Sequence, residues 1–326
     1  MTYEGEKERA ERRLRELRAE IAADDKLWVR EALMQRLAKA LPDFAREGDA
    51  AACRLVLSQL NRGDGDVVNR IIDEDNFTPF HCAVESGSLE TVNVFLEFRE
   101  ALGLNLEAEC YGCADDFTSN NLNCTPFLQA AINRNVDIML ALAEAGADVN
   151  VSGGVGHYNA LTHALTRSPD RQNQMPCAAT ALAVLGLPGF TAIDAEDNAM
   201  ELPALQLWSM FIITDEKKLT GGSVEDWLLV LAALLEHPAL ADINRRFSDG
   251  VFGPDDGVGY YRGTSFMPEA TVLHRVAFAA INNCNHQQMW MDAYALLVHA
   301  GADESILYNR GGSEVDGLTA SEVRFC

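Results

Sequence analysis

One stretch of the chain occurs twice, and this internal repeat constrains the fold more than any other feature. In both copies a second apolar segment with helical spacing follows, at 92–96 and at 138–142. Such self-similarity is typical of repeat architectures, in which each unit buries its apolar face against its neighbours. The copies read Asn76-Phe77-Thr78-Pro79-Phe80-His81-Cys82-Ala83 and Asn123-Cys124-Thr125-Pro126-Phe127-Leu128-Gln129-Ala130.

Each copy predicts a pair of short helices. Proline suits the first turn of a helix, and the threonine before it can cap backbone N–H groups that have no helical partner. Glycine most readily adopts the left-handed conformation that ends a helix, and we expect Gly87 and Gly146 to serve that purpose. Both copies resemble the ankyrin family, whose pattern is Thr-Pro-Leu-His-x-Ala.

Weaker copies extend this resemblance to about residues 40–326, near 44–57, 159–185, 203–244 and 271–303, with a truncated last copy from Gly317. The resemblance implies an all-α fold, an α-solenoid of about six ankyrin repeats and a truncated last unit over 41–326. Residues 1–40 carry Leu14, Leu17, Ile21, Leu27, Trp28, Leu33 and Leu37 among many charges. Their helical spacing predicts an N-terminal helical cap over the exposed end of the first repeat.

Most repeats are longer than the 33 residues of an ankyrin unit, so the additional residues must leave the stack as loops. The family places protruding hairpin fingers between repeats, and the insertions at 104–122 and 245–270 lie there. The glycine-rich stretch at 153–156 predicts another finger turn. Other insertions fall between the two helices of a repeat, at 167–176, 215–223 and 282–288.

The predicted fingers carry aromatic and acidic side chains. Aromatic and arginine residues dominate interface energetics, so we predict that the fingers contact a protein partner. The same aromatic residues could instead pin the long loops onto their own stack. The predicted contact residues are Tyr111, Asp115, Asp116, Phe117, His157, Tyr158, Phe247, Asp249, Phe252, Asp255, Asp256, Tyr260, Tyr261 and Arg262.

The chain is strongly acidic, with 26 basic and 49 acidic residues and a formal charge of -23. This field repels phosphate backbones and anionic lipids, so we predict neither a nucleic acid nor a membrane as partner. A basic protein surface suits the charge better, although the charge could serve solubility alone. The N-terminal residues lack the apolar core of a secretory signal. The longest apolar run, 227–235, is about half of the ~20 residues that span a bilayer.

The eight cysteines are too few for a disulfide scaffold and favour a reducing, cytoplasmic location. Cys110 and Cys113 form a Cys-x-x-Cys near Cys124, His81 and Cys82, but a second pair at zinc-ligand spacing is absent. A redox pair lacks its usual strand-helix context. We therefore predict no metal and no cofactor. The resemblance implies that His81 and His274 serve packing and hydrogen bonding between repeats.

No histidine stands at an informative spacing from a nucleophile or a carboxylate, so no catalytic residue is predicted. The resemblance implies a monomeric, non-catalytic scaffold of the adaptor, inhibitor or effector type, which binds a protein through its fingers and concave helical face. An immunity-type neutraliser of a basic toxin is a more specific form of this function. The alternative is an enzyme whose site lies in the inserted loops of repeats four to six.

Overall fold

The computed structural model describes helices joined by turns, and the predicted fold class, an all-α ankyrin-repeat solenoid, is confirmed. The chain divides into two compact units, Met1–Asp148 and Val149–Cys326. Within the described part of the chain, no helix is both long enough and apolar enough to cross a membrane. The described residues are 12, 15, 16, 19, 27–60, 64–72, 77–110, 124–153, 158–166, 176–194, 203–214, 222–246, 270–282, 287–307 and 319–325.

Three helix pairs build the first unit. The first helices of successive pairs pack on one another, and so do the second helices. Each pair therefore covers the apolar face of the next, as a repeat architecture requires. The pairs are α1 (Leu27–Arg46) with α2 (Ala50–Leu57), α4 (Pro79–Glu85) with α5 (Leu89–Glu97), and α7 (Pro126–Ile132) with α8 (Val136–Glu144). The one-turn helices α3 (Gly65–Val68) and α6 (Arg99–Leu102) follow the first and second pairs.

The second unit has the same plan. It begins with a hairpin of β1 (Ser152–Gly153) and β2 (Tyr158–Asn159), which are antiparallel. The fourth pair is followed by a 3-10 turn at Ala192–Asp194, and the helices again pack first on first and second on second. Its helices are α9 (Ala160–Leu165) with α10 (Ala178–Leu185), α11 (Ala204–Thr214) with α12 (Val224–Glu236), α13 (Val272–Asn282) with α14 (Gln287–His299), and finally α15 (Ala320–Phe325).

A polar side chain caps the start of several first helices. Thr78, Thr125 and Asn159 each accept a hydrogen bond from the backbone N–H three residues further on. Pro79 and Pro126 occupy the first helical turn, where the missing N–H of proline costs no hydrogen bond. The threonine-proline motif therefore starts these helices as the sequence predicts.

His81 links the second pair to the third. Its ring is fully buried, and Nδ1 lies 2.9 Å from the hydroxyl of Thr78. Nε2 lies 3.3 Å from the carbonyl oxygen of Cys124, at the entry to α7. A tautomer with the proton on Nε2 satisfies both contacts, because Nε2 then donates and Nδ1 accepts. The predicted role of His81 between repeats is thus confirmed. His274 makes the equivalent contact with Thr271, at 2.8 Å.

A series of hydrogen bonds joins the loop after each second helix to the loop of the next pair. In each bond the earlier loop supplies a side chain and the later loop supplies backbone groups. We call these bonds rungs. They join Asn69 to Gly103 and Asn105, Glu107 to Asp148, Asn150 to Gly189, Thr191 and Ala192, Asp194 to Ala241, and Asn244 to Asp303.

In the first unit, the turn between the two helices of each pair contains a residue with left-handed backbone. In the first and second pairs this residue is glycine, with φ of 70° at Gly48 and 73° at Gly87. In the third pair it is Arg134, with φ of 60°. Glycine adopts this conformation without steric cost, whereas a residue with a Cβ does not. After the second helix of the third pair, Gly146 has φ of 91°, as expected for the end of that helix.

The N-terminal cap and the first repeat share one helix. We predicted a boundary near residue 40, but α1 runs across it from Leu27 to Arg46. Leu37 and Leu41 are fully buried, and α1 packs on both α2 and α4. The segment before residue 40 therefore supplies part of the first helix of the first pair. The predicted stripe residues Leu14, Leu17 and Ile21 lie outside the described residues.

Candidate functional site

Antiparallel backbone pairing holds three of the connections that precede a first helix. Cys110 pairs with Cys124, residues 152–153 pair with 158–159, and Leu307 pairs with Thr319. We call these pairs finger bases, because the segments between the paired residues leave and rejoin the helix pairs there. The second base shows that the chain reverses direction between Gly153 and Tyr158, where we predicted a finger turn, and residues 154–157 lie outside the described residues. The third base was missed, although the adjacent glycines Gly311 and Gly312 are a known hairpin signal.

The first finger base is fixed from two sides. The backbone N–H of Cys110 donates to the carbonyl of Cys124, and the reverse bond has the same length of 3.0 Å. The Cys124 carbonyl also receives the Nε2 contact from His81, and Thr125 directly after it caps α7. Cys124 is therefore held by the preceding pair and by the helix that it precedes.

Part of the predicted insertion at 104–122 packs instead of protruding. Leu102 ends α6 and Gly103 has left-handed backbone, and Leu104 and Leu106 beyond it are buried. The sequence prediction was wrong on this point, because it treated every residue beyond the ankyrin length as a loop.

The predicted contact residues are unevenly covered by the structure. Tyr111, Asp115, Asp116 and Phe117 belong by sequence to the segment between Cys110 and Cys124, which lies outside the described residues. His157 and the whole set from Phe247 to Arg262 also lie outside them.

Tyr158 is among the residues that the structure describes, and it is buried. Only 5% of it is exposed, and its ring meets the ring of His163 edge to face at 5.4 Å. It stands in β2, one residue before the α9 cap Asn159. The side chain therefore packs on its own repeat in the unbound chain.

Three exposed carboxylates precede Cys110 in the chain, and a rung joins Asp148 to one of them, Glu107. These four carboxylates lie on the loops that follow α5 and α8, and Glu109 directly precedes Cys110. The Glu100 side chain is 92% exposed, and its nearest cationic contact is with Arg99 at 3.9 Å. An exposed pair at this distance neutralises little charge. The acidic rim, as we name this group, consists of Glu100, Glu107, Glu109 and Asp148.

The third finger base is tied to its surroundings by polar contacts. Arg246 donates to the carbonyl of Leu307 at 3.1 Å. Glu322 accepts hydrogen bonds from the backbone N–H and the hydroxyl of Thr319, which together lower the pKa of its carboxyl group. The pKa of Asp303 is lowered in the same way by the hydroxyl and the backbone N–H of Ser305. Both carboxylates therefore stay charged at neutral pH.

The described residues offer little chemistry beyond binding. They contain no group of three or more His, Cys, Asp or Glu side chains that could hold a metal ion. Cys110 and Cys124 are buried thiols. Burial raises the pKa of the Cys53 thiol well above its usual range and lowers that of Arg275 to about 10. The Cys53 thiol is therefore too weak an acid to supply a thiolate nucleophile. The Arg275 guanidinium stays positively charged at neutral pH.

Comparison with known proteins agrees with the repeat pattern. A family model for ankyrin repeats, in three copies, matches residues 41–153. No curated protein sequence matches the chain. An ankyrin repeat domain from Acinetobacter baumannii is similar in structure, with a TM-score of 0.50, 17% identity, and coverage of 81% of this chain and 98% of that chain.

A second solved structure is also similar. It is described as the predatory endopeptidase Bd0816 from Bdellovibrio bacteriovorus in complex with immunity protein Bd3460. The TM-score is 0.45 at 18% identity, and the match covers 80% of this chain and 97% of that chain. At these identities a structural likeness concerns the fold. Over residues 41–153, the three matched copies and the helix pairs that contain them show ankyrin repeats.

Proposed function

We propose that this protein is a non-catalytic scaffold that binds a basic surface of a partner protein through its fingers. Ankyrin repeats are protein-interaction modules, and the repeats at residues 41–153 support the general class of function. The acidic rim beside the first finger base carries the more specific part of the proposal. Contact through the aromatic and acidic finger residues Tyr111, Asp115, Asp116 and Phe117 is part of the same proposal.

The finger bases give the proposed contact surface a rigid support. Paired backbone groups fix both ends of each finger, and the rungs hold the neighbouring loops against one another. A loop anchored at both ends loses less conformational entropy on binding than an unanchored one. The support therefore favours affinity even where the finger itself contributes few contacts.

The acidic rim gives the surface its preference for positive charge. Glu107, Glu109 and Asp148 are exposed beside the first finger base, and the whole chain carries a formal charge of -23. Carboxylates at the edge of an interface steer a cationic partner and raise its association rate. A basic enzyme or toxin that is inhibited by being covered would be a partner of this kind.

A matched pair of charge reversals tests the proposal. Glu109→Lys changes the rim, whereas Glu90→Lys makes the same charge change in the first turn of α5. With partners captured from a lysate of the source cells at low salt, we expect Glu109→Lys to weaken binding about three- to tenfold. We expect the Glu90 variant to bind within about twofold of the wild type, and added salt to weaken wild-type binding.

The long insertion at 245–270 is tested separately. A chain with this insertion shortened is used to capture partners in parallel with the intact chain. It should recover fewer partners if the predicted residues from Phe247 to Arg262 make contacts.

Equal effects of the two charge reversals, together with salt-independent binding, would refute the electrostatic part of the proposal. Unchanged recovery of every partner by the shortened chain would refute the role of that insertion.

A further inference from the structure

We propose that Cys110 and Cys124 are a disulfide-forming pair that closes the first finger covalently at its base. The two residues stand directly opposite each other in an antiparallel bridge, and both are buried thiols. Their cross-strand position, not the Cys-x-x-Cys spacing of Cys110 and Cys113, identifies the pair.

The backbone geometry suits a disulfide. Cys110 and Cys124 exchange both N–H···O bonds at 3.0 Å, and residues paired in this way have Cα atoms about 5.5 Å apart. Disulfides usually have Cα atoms about 4.4–6.8 Å apart. In a hydrogen-bonded pair the Cβ atoms lie near the wide end of the usual range of about 4.5–5.5 Å, which is about 1 Å beyond the disulfide range. Because the bridge is a single pair, its twist can absorb a movement of that size.

The contact between the Cys124 thiol and Thr125 is weak. The Cys124 Sγ lies 3.8 Å from the carbonyl of Thr125, a distance typical of a weak S–H donor. Rotation about the Cα–Cβ bond turns this sulfur away from that carbonyl. The His81 contact and the Thr125 cap hold the backbone of Cys124 on both sides, so the change in twist falls mainly on Cys110.

The oxidant is a low-molecular-weight disulfide of the oxidised glutathione class. The thiolate of one cysteine attacks a sulfur of this disulfide, and its S–S bond breaks to release one small thiol. The second cysteine then attacks the protein sulfur of the mixed disulfide and releases the other small thiol. Two protein thiols are oxidised, one small disulfide is reduced, and the two thiol protons end on the released thiols. Burial of both sulfurs means that the bridge must open transiently before reaction.

The product is a ring of residues 110–124 that encloses the predicted contact residues Tyr111, Asp115, Asp116 and Phe117. In the chain-entropy model, closing a ring of this length removes conformations from the unfolded chain. The ring should therefore preset the finger for its partner, a consequence that rests on the proposed function. Formation of the disulfide itself does not depend on that function.

Disulfide mapping of the full chain tests the proposal. The folded protein is equilibrated with oxidised and reduced glutathione, and the remaining thiols are alkylated. Trypsin leaves Cys110, Cys113 and Cys124 on one peptide, because no lysine or arginine lies between Arg99 and Arg134. Chymotryptic cleavage after Tyr111 and Phe117 then separates the three cysteines. We expect the fragments of Cys110 and Cys124 to stay joined, in the wild type and in Cys113→Ser.

Two further measurements complete the test. Oxidation should slow hydrogen exchange across residues 111–123 and raise Tm by about 5 °C or more in Cys113→Ser. Neither change should occur in Cys124→Ser. A dominant disulfide to Cys113, or the absence of any intramolecular disulfide until the protein unfolds, would overturn the proposal. Because no partner is present, failure here is distinguishable from failure of the proposed function.

Discussion

Arg134 shows how much a single residue can depart from the family pattern without a change of fold. It stands in the turn of the third pair, where the first and second pairs have Gly48 and Gly87. Among the residues that the structure describes, it is the one non-glycine residue with positive φ. A left-handed residue with a Cβ costs about 1–2 kcal/mol relative to right-handed backbone. The backbone of the turn at Arg134 is therefore less stable than the backbone of the turns at Gly48 and Gly87.

We expect Arg134→Gly to raise the free energy of unfolding by about 1 kcal/mol, measured by urea denaturation. Removal of the strained backbone gives the gain, and the greater freedom of glycine in the unfolded chain reduces it. Gly87→Ala is the matched control, because the nearest atom to its added methyl is the Asn135 Nδ2, 3.6 Å away. It should destabilise by about 1 kcal/mol. A less stable Arg134→Gly variant would mean that side-chain contacts of Arg134 exceed the strain.

At the scale of elements, the loops after the second helices contribute to stability through the rungs. Asn150 forms the rung with the most hydrogen bonds. Its Oδ1 accepts from the backbone N–H of Thr191 at 2.7 Å and of Ala192 at 3.0 Å, and its Nδ2 donates to Gly189 at 2.9 Å. The side-chain amide of Asn150 therefore provides hydrogen-bond partners for three backbone groups of the following loop.

Asn150→Ala should lower the free energy of unfolding by about 2 kcal/mol, because two backbone N–H groups and one carbonyl lose their partner. The amides of Thr191 and Ala192 should also exchange faster with solvent. Asn93→Ala, an exposed change on α5, is the control and should stay within about 0.5 kcal/mol of the wild type. If the two variants unfold at the same urea concentration, the rung adds nothing measurable.

For the whole molecule, the dominant property is its charge of -23. Bidentate pairing of Arg54 with Glu97 joins α2 to α5 and lowers the pKa of the Glu97 carboxyl group, but exposed pairs of this kind are few beside the acidic excess. Mutual repulsion of unpaired carboxylates opposes the compact state. Stability should therefore depend on ionic strength.

We expect Tm to rise by a few degrees when NaCl increases from about 10 mM to about 150 mM, because the screening length falls from roughly 30 Å to roughly 8 Å. A further increase to about 500 mM should add much less, since most repulsion is then already screened. Calorimetry at pH 7 measures both steps. A Tm that falls over the first step would show that favourable ion pairs outweigh the repulsion.

The sequence predicted those parts of the fold that depend on neighbours along the chain. Thr78, Pro79 and His81 act within one helical turn, so the cap that starts α4 follows from local chemistry. The left-handed backbone of Arg134 was not predicted, because nothing in the sequence indicates that an arginine adopts this conformation. The pairing of Cys110 with Cys124 escaped it as well, because their opposition depends on where two helix pairs bring the chain together.

The candidate site was predicted less completely than the fold. Composition pointed to the fingers and to a basic partner, but Leu104 and Leu106 of the predicted first finger are buried. Length alone cannot separate a packed segment from a loop. The acidic rim was also missed, since Glu107 and Asp148 are 41 positions apart and a rung brings them together.

The rungs also set a direction along the chain. Asn69, Glu107, Asn150, Asp194 and Asn244 each serve a loop made later. During synthesis from the N-terminus, the receiving side chain is therefore in place before the next loop leaves the ribosome. Each new loop can then dock on a folded predecessor, and assembly can follow the order of translation.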